Sequence, residues 1–153
     1  MLRLIKYSTR IPSDFCYIKS VTTDLIYSLQ SEYGFIEEDI LFELKVIVNE
    51  LLINAIRHGN NETSNKYVKV AAGMATEKYA FILIEDQGEG CNYNCIIKSR
   101  NKHVYSTNFE NVEESGRGLQ IVNCLSDRIR FNRRGNRILI LKKLISSKSD
   151  NVV

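Results

Sequence analysis

Apolar residues along this chain change spacing several times, and the changes mark out its elements. Leu2, Leu4 and Ile5 alternate with polar residues through 2–8, the pattern of a strand. Pro12-Ser13-Asp14 then signals a helix start, and Ile18, Val21, Leu25, Ile26 and Leu29 recur at helical spacing up to Tyr33, where Gly34 breaks the run. A second helix is expected from the acidic start Glu37-Glu38-Asp39 to the stop Gly59-Asn60-Asn61. Its apolar face, from Ile40 to Ile56, is dense enough to require deep burial. Residues 67–75 and 79–86 read as strands, with Thr76-Glu77-Lys78 as a hairpin turn. A third helix is expected from Arg117 to about Ser126, followed by strands at 128–133 and 137–144 joined across Arg134-Gly135-Asn136.

Strands that follow one another through short turns favour an antiparallel or mixed sheet. With helices on one face of it, the expected fold class is α+β, a two-layer α/β sandwich whose mixed sheet is mostly antiparallel. The polar stretch from about Asn92 to Ser115 has little periodicity. It is long for a loop in a compact domain, which points to a functional lid or a mobile segment. Residues 1–145 are expected to form one domain, with 146–153 a disordered tail.

Composition narrows the classes. The 153 residues are 44% hydrophobic and 25% charged, as in an ordinary globular domain. No apolar stretch is long enough to span a bilayer, and the N-terminus lacks the long apolar core of a signal peptide, so a cytoplasmic location without membrane contact is expected. Cys16, Cys91, Cys95 and Cys124, with His58 and His103, do not have zinc-site spacing, and reduced thiols are the simpler reading. A net charge of +3 does not imply direct nucleic-acid binding, and the basic residues from Arg128 to Lys143 suit the solvated face of paired strands.

Three clusters carry chemistry. In the second helix Glu50 and Asn54 stand four apart on one face. Asn54 offers a neutral oxygen of the kind Mg²⁺ accepts alongside phosphate oxygens, and Glu50 a carboxylate able to orient or deprotonate an attacking hydroxyl. Asp86 closes the apolar run Ala80–Ile84, where it can accept a hydrogen bond from an exocyclic amine such as that of adenine. Gly88 and Gly90 behind it permit close backbone approach. Ser115-Gly116-Arg117-Gly118-Leu119 places glycines at a helix start, a favourable seat for phosphate. Each cluster also has a plain reading: a solvated helix face, an Asp-Gly turn, a serine-capped helix. Neither a Walker A loop nor a dinucleotide fingerprint is present.

Taken together in order and spacing, Glu50-x-x-x-Asn54, Asp86-x-Gly88-x-Gly90 and Gly116-x-Gly118 resemble the N box and two glycine boxes of the GHKL ATPase superfamily. Asn49-Glu50-Leu51, Asn54-Ala55 and His58-Gly59 look most like the bacterial anti-sigma-factor serine/threonine kinases. The resemblance covers roughly residues 2–144. It implies the Bergerat ATP-binding fold, ATP and Mg²⁺ as ligands, and transfer of phosphate to a serine or threonine of an anti-anti-sigma antagonist, together with sequestration of a sigma factor, in a homodimer. By the same resemblance Asn54 holds the metal, Asp86 reads adenine, and the glycines frame a lid over the phosphates. Glu50 is the catalytic base, and His58 and Gly59 extend the first box. Arg117 is placed for either phosphate or solvent.

The chain departs from that pattern twice. Glu114 stands where a basic residue often precedes the second glycine box, and Gly135-Asn136 replaces a Gly-Thr whose threonine supports the adenine aspartate. These departures keep a second reading open, a non-catalytic binding module gated by nucleotide. A third reading, the catalytic half of a histidine kinase, fits least, because two histidines give little choice of phospho-acceptor.

Overall fold

The computed structural model describes residues 4–90 and 114–145, with only the backbone of Glu114 and Ser115. The expected tail and all but the last two residues of the expected lid lie outside these.

Strand β1 (Leu4–Pro12) is the first described element and runs four residues beyond its expected end. Asp14 then accepts a hydrogen bond from the Cys16 N–H at 2.9 Å, capping a short 3₁₀ turn (Phe15–Tyr17). Helix α1 (Ile18–Tyr33) buries Val21, Thr22, Leu25, Ile26 and Leu29, the predicted face plus one hydroxyl. It stops at Gly34, whose φ of 98° is available to glycine at low cost.

Helix α2 (Glu38–Asn54) opens on Glu38 and Asp39 and buries Leu44, Ile47, Val48, Leu51 and Leu52. It does not continue as an α-helix to Gly59. The chain widens into a π turn over Ala55–Gly59, closed by the Asn60 N–H on the Ala55 carbonyl at 2.8 Å. Such turns are frequent at functional sites.

Strands β2 (Tyr67–Met74) and β3 (Tyr79–Glu85) form the expected hairpin, its turn held by the Thr76 hydroxyl accepting from the Lys78 and Tyr79 N–H groups. Helix α3 (Glu114–Leu125) leads to β4 (Arg128–Phe131) and β5 (Arg137–Lys143). The sheet order is β1-β2-β3-β5-β4, and every pairing among the described strands is antiparallel. Strand β5 inserts between β3 and β4, which brings the Gly135-Asn136 turn beside the end of β3.

The three helices lie on one face of the sheet. Their apolar sides meet Val68, Val70, Ala72, Ile82, Ile84, Ile138 and Ile140, the inward members of strands that alternate with period two. Lys142 also points inward. Its ammonium donates to the Glu43 carboxylate on α2 and to the Leu125 carbonyl at 2.6 Å, tying the end of α3 to the sheet. No helix among the described residues is long and apolar enough to cross a membrane.

Candidate functional site

The end of α2, the end of β3 and the start of α3 converge on the helical side of the sheet. Glu50 and Asn54 project one turn apart from α2. Asn54 is 5% exposed, with its side-chain oxygen shut away from solvent, while Glu50 is half-buried. The Glu50 carboxylate reaches across to α3, where a Cβ on Gly118 would lie 2.5 Å from Oε2. Gly118 is therefore the floor on which Glu50 rests, and no larger residue leaves the carboxylate in place.

Asp86 is 6% exposed. Burial pushes its carboxyl above the usual carboxylate range and the nearby Glu85 charge adds to the rise. The Gly88 N–H, at 2.8 Å from Oδ1, and the Arg134 and Lys66 charges offset it only in part. The π turn sets Gly59 against this carboxylate, since a Cβ on Gly59 would overlap its oxygens. A Cβ on Gly88 would in turn overlap the Gly59 carbonyl. The first and second clusters are thus in direct contact, packed backbone to side chain. Gly90 has a φ of 89°, which accounts for glycine there.

Two asparagines hold this junction: Asn60, which the sequence reading took only as a helix stop, and Asn136, which it took as a departure from the family pattern. Asn60, fully buried, accepts the Gln87 N–H at 2.7 Å and donates to the Ser13 hydroxyl at 2.8 Å and the Tyr67 carbonyl at 2.9 Å. It ties the residue after Asp86 to β2 and to Ser13, just past the end of β1. Its only sequence signal is an asparagine after Gly59, which reads as a helix stop.

Asn136, at the position of the missing threonine, donates from Nδ2 to the Asp86 carbonyl at 2.8 Å, and its own carbonyl accepts the Asp86 N–H at 2.9 Å. Asn132 shapes that turn by accepting the N–H groups of Gly135, Asn136 and Arg137. The departure at Gly135-Asn136 therefore leaves the Asp86 main chain tied to β5.

The third cluster differs from expectation in position. Helix α3 begins at Glu114, so Gly116-Arg117-Gly118 lie within its first turns instead of opening it. An acidic residue suits a helix N-terminus and extends the helix backwards. The N–H groups without intrahelical partners then include those of residues 114–116. Gly116, Gly118 and Leu119 are buried and Arg117 is exposed. His58 is also exposed, on the outer side of the π turn. The side chain of Ser115 lies outside the described residues, as does that of Glu114.

The donor set fits a nucleotide and a phosphate-bound Mg²⁺. A shielded carboxylate ringed by glycine backbone suits an amine-bearing base, and a buried neutral oxygen beside a carboxylate suits a cation held mainly by phosphates. No cluster of three or more His, Cys, Asp or Glu capable of holding a metal alone occurs among the described residues.

A profile of the histidine kinase-like ATPase domain matches residues 21–142, a span running from α1 to β5 and including all three clusters. The chain belongs to this family. Among individual proteins it is similar to the serine-protein kinase RsbW of Oceanobacillus iheyensis, 27% identical over 106 residues that cover 69% of this chain and 66% of that protein. It is also similar to the anti-sigma F factor of Priestia megaterium, 28% identical over 114 residues, 72% of this chain and 75% of the other. In structure it resembles the histidine kinase domain of the blue-light activated histidine kinase EL346 of Erythrobacter litoralis. That match has a TM-score of 0.52 at 16% identity and covers 88% of this chain and 62% of that one, a likeness of fold. The α+β sandwich expected from the sequence is the fold observed, and membership of this ATPase family carries with it the use of ATP.

Proposed function

We propose that this chain is an ATP-dependent serine/threonine protein kinase and anti-sigma factor. It phosphorylates an anti-anti-sigma antagonist and sequesters a sigma factor, acting in the cytoplasm as a homodimer. The observation that carries the reading is the Glu50 carboxylate, resting on Gly118 one helical turn before Asn54. Nucleotide binding alone does not require a carboxylate there. The names of the similar proteins, a serine-protein kinase and an anti-sigma factor, support the choice of substrate class and partners.

In this reading Asp86 accepts a hydrogen bond from the exocyclic amine of adenine, and Gly59 and Gly88 let the backbone close around the carboxylate. The N–H groups that open α3 face phosphate oxygens. Asn54 holds Mg²⁺, which on binding with ATP neutralises charge on the phosphate oxygens. Glu50 takes the proton of the target hydroxyl as its oxygen bonds to the terminal phosphorus and the bond to the ADP oxygen breaks. The ends of α2, β3 and α3 hold these groups in one arrangement, which is most of what phosphoryl transfer asks of a protein.

Labelled γ-phosphate supplied to a host lysate with the purified chain tests this. A small protein labelled on serine or threonine by wild type and not by Glu50→Ala is expected, and mass spectrometry names it. Labelling that does not depend on Glu50 contradicts the reading. The absence of any label despite proven ATP binding favours the non-catalytic module instead.

A further inference from the structure

All three described helices cover one face of the sheet, which leaves the other face open. On that face register sets Phe81 beside Leu141 and Leu83 beside Leu139. Phe81 is 3% exposed, its ring edge against Gly73 on the neighbouring strand, but Leu83, Leu139 and Leu141 are only partly buried. They form an apolar floor. Arg128 and Arg130 on the edge strand β4 stand opposite Leu141 and Leu139, and these four residues enclose a hollow of about 130 Å³. At the Asp86 end Arg10, Lys69 and Arg134 line, together with Glu85 and Asp86, a larger cavity of about 340 Å³. Glu85, the one outward carboxylate in the described strands, is already paired with Lys69 at 3.7 Å and with Arg137.

We propose that this open face docks an acidic, amphipathic helix of a partner protein, with its apolar side chains on the leucine floor and its carboxylates against the arginines. An apolar floor flanked by the Arg128 and Arg130 row is complementary to that shape and charge pattern. The phosphate backbone of a nucleic acid has no apolar side to lay on the leucines, and Phe81 is too buried to offer a ring face for base stacking. A second copy joined through the same face sets the Arg128 and Arg130 rows against each other, at a repulsive cost. The surface lies on the side of the sheet away from Glu50, and the inference stands whether or not the chain transfers phosphate.

Three labelled probes test it on the full chain: a helical 16-residue peptide with leucine along one side and glutamate on the other, the same composition scrambled, and a single-stranded oligonucleotide of equal charge. The amphipathic peptide is expected to bind at least tenfold more tightly than either of the others. Its binding should weaken at least tenfold in Arg128→Glu/Arg130→Glu and should shift the amide resonances of Leu83, Leu139 and Leu141. Arg128 and Arg130 are exposed, so the double variant should fold, and unchanged ATP binding confirms that. Equal binding of ordered and scrambled peptides, tighter binding of the oligonucleotide, shifts elsewhere, or self-association that changes on charge reversal each overturns the proposal.

Discussion

Gly59 lies against the carboxylate of Asp86 so closely that a single added Cβ would occupy the space of its oxygens. The two residues belong to different sequence clusters, and the π turn over Ala55–Gly59 brings them together. Gly59→Ala should therefore displace the Asp86 carboxylate. We expect ATP affinity to fall about tenfold or more and stability by about 1–3 kcal/mol, the usual range for overpacking. Calorimetric titration with ATP and denaturant unfolding read both, and unchanged affinity would separate Asp86 from the adenine.

Asp86→Asn keeps an oxygen for the Gly88 N–H but removes the buried charge. Because burial raises the folded-state carboxyl above its unfolded value, the contribution of this group to stability is fully present below the ordinary carboxylate range and is lost as pH rises through the raised folded-state value. The stability of wild type relative to Asp86→Asn should thus increase on acidification from neutral pH, while the variant binds adenine nucleotide more weakly at neutral pH. Denaturant titrations of both proteins at neutral and acidic pH check the sign; a pH-independent difference would contradict it.

Gly118→Ala separates helix propensity from catalysis. Alanine within α3 favours the helix by about 1 kcal/mol over glycine, yet its Cβ crowds the Glu50 carboxylate oxygen and forces it to shift. The variant should lose phosphotransfer by about tenfold or more with no loss of helix content by circular dichroism. Full transfer in a well-folded variant would show that Glu50 does not depend on this floor.

Asn60→Ala leaves the Gln87 N–H without its buried acceptor and removes two donated bonds. A cost of about 2–4 kcal/mol is expected from several buried hydrogen bonds lost together. Asn60→Asp, which keeps the acceptor for Gln87, should retain more nucleotide affinity than Asn60→Ala. Equal affinities would mean that Asn60 does not position the turn after Asp86.

Much of this was legible in the sequence. Helical spacing put Glu50 and Asn54 on one face, and period-two alternation found the strands to within a few residues at each end. The π turn was not legible, because Ala55–Gly59 continues the composition of α2 and only a shift in hydrogen bonding distinguishes it. Nor was the early start of α3, since glycines at 116 and 118 read as a helix boundary while acidic residues before them favour extending the helix. The role of Asn60 was missed because asparagine in a turn has a sufficient local explanation, and Asn136 was read as the loss of a supporting threonine; the partners that give these two their roles lie 27 and 50 residues away.

The most direct test of the central claim measures ATP affinity and γ-phosphate transfer side by side for wild type and Glu50→Ala, using the antagonist identified by labelling. A carboxylate acting as base, with no part in holding the nucleotide, predicts transfer reduced at least a hundredfold and affinity within about threefold. Transfer that survives the substitution, or affinity lost together with it, would contradict the account.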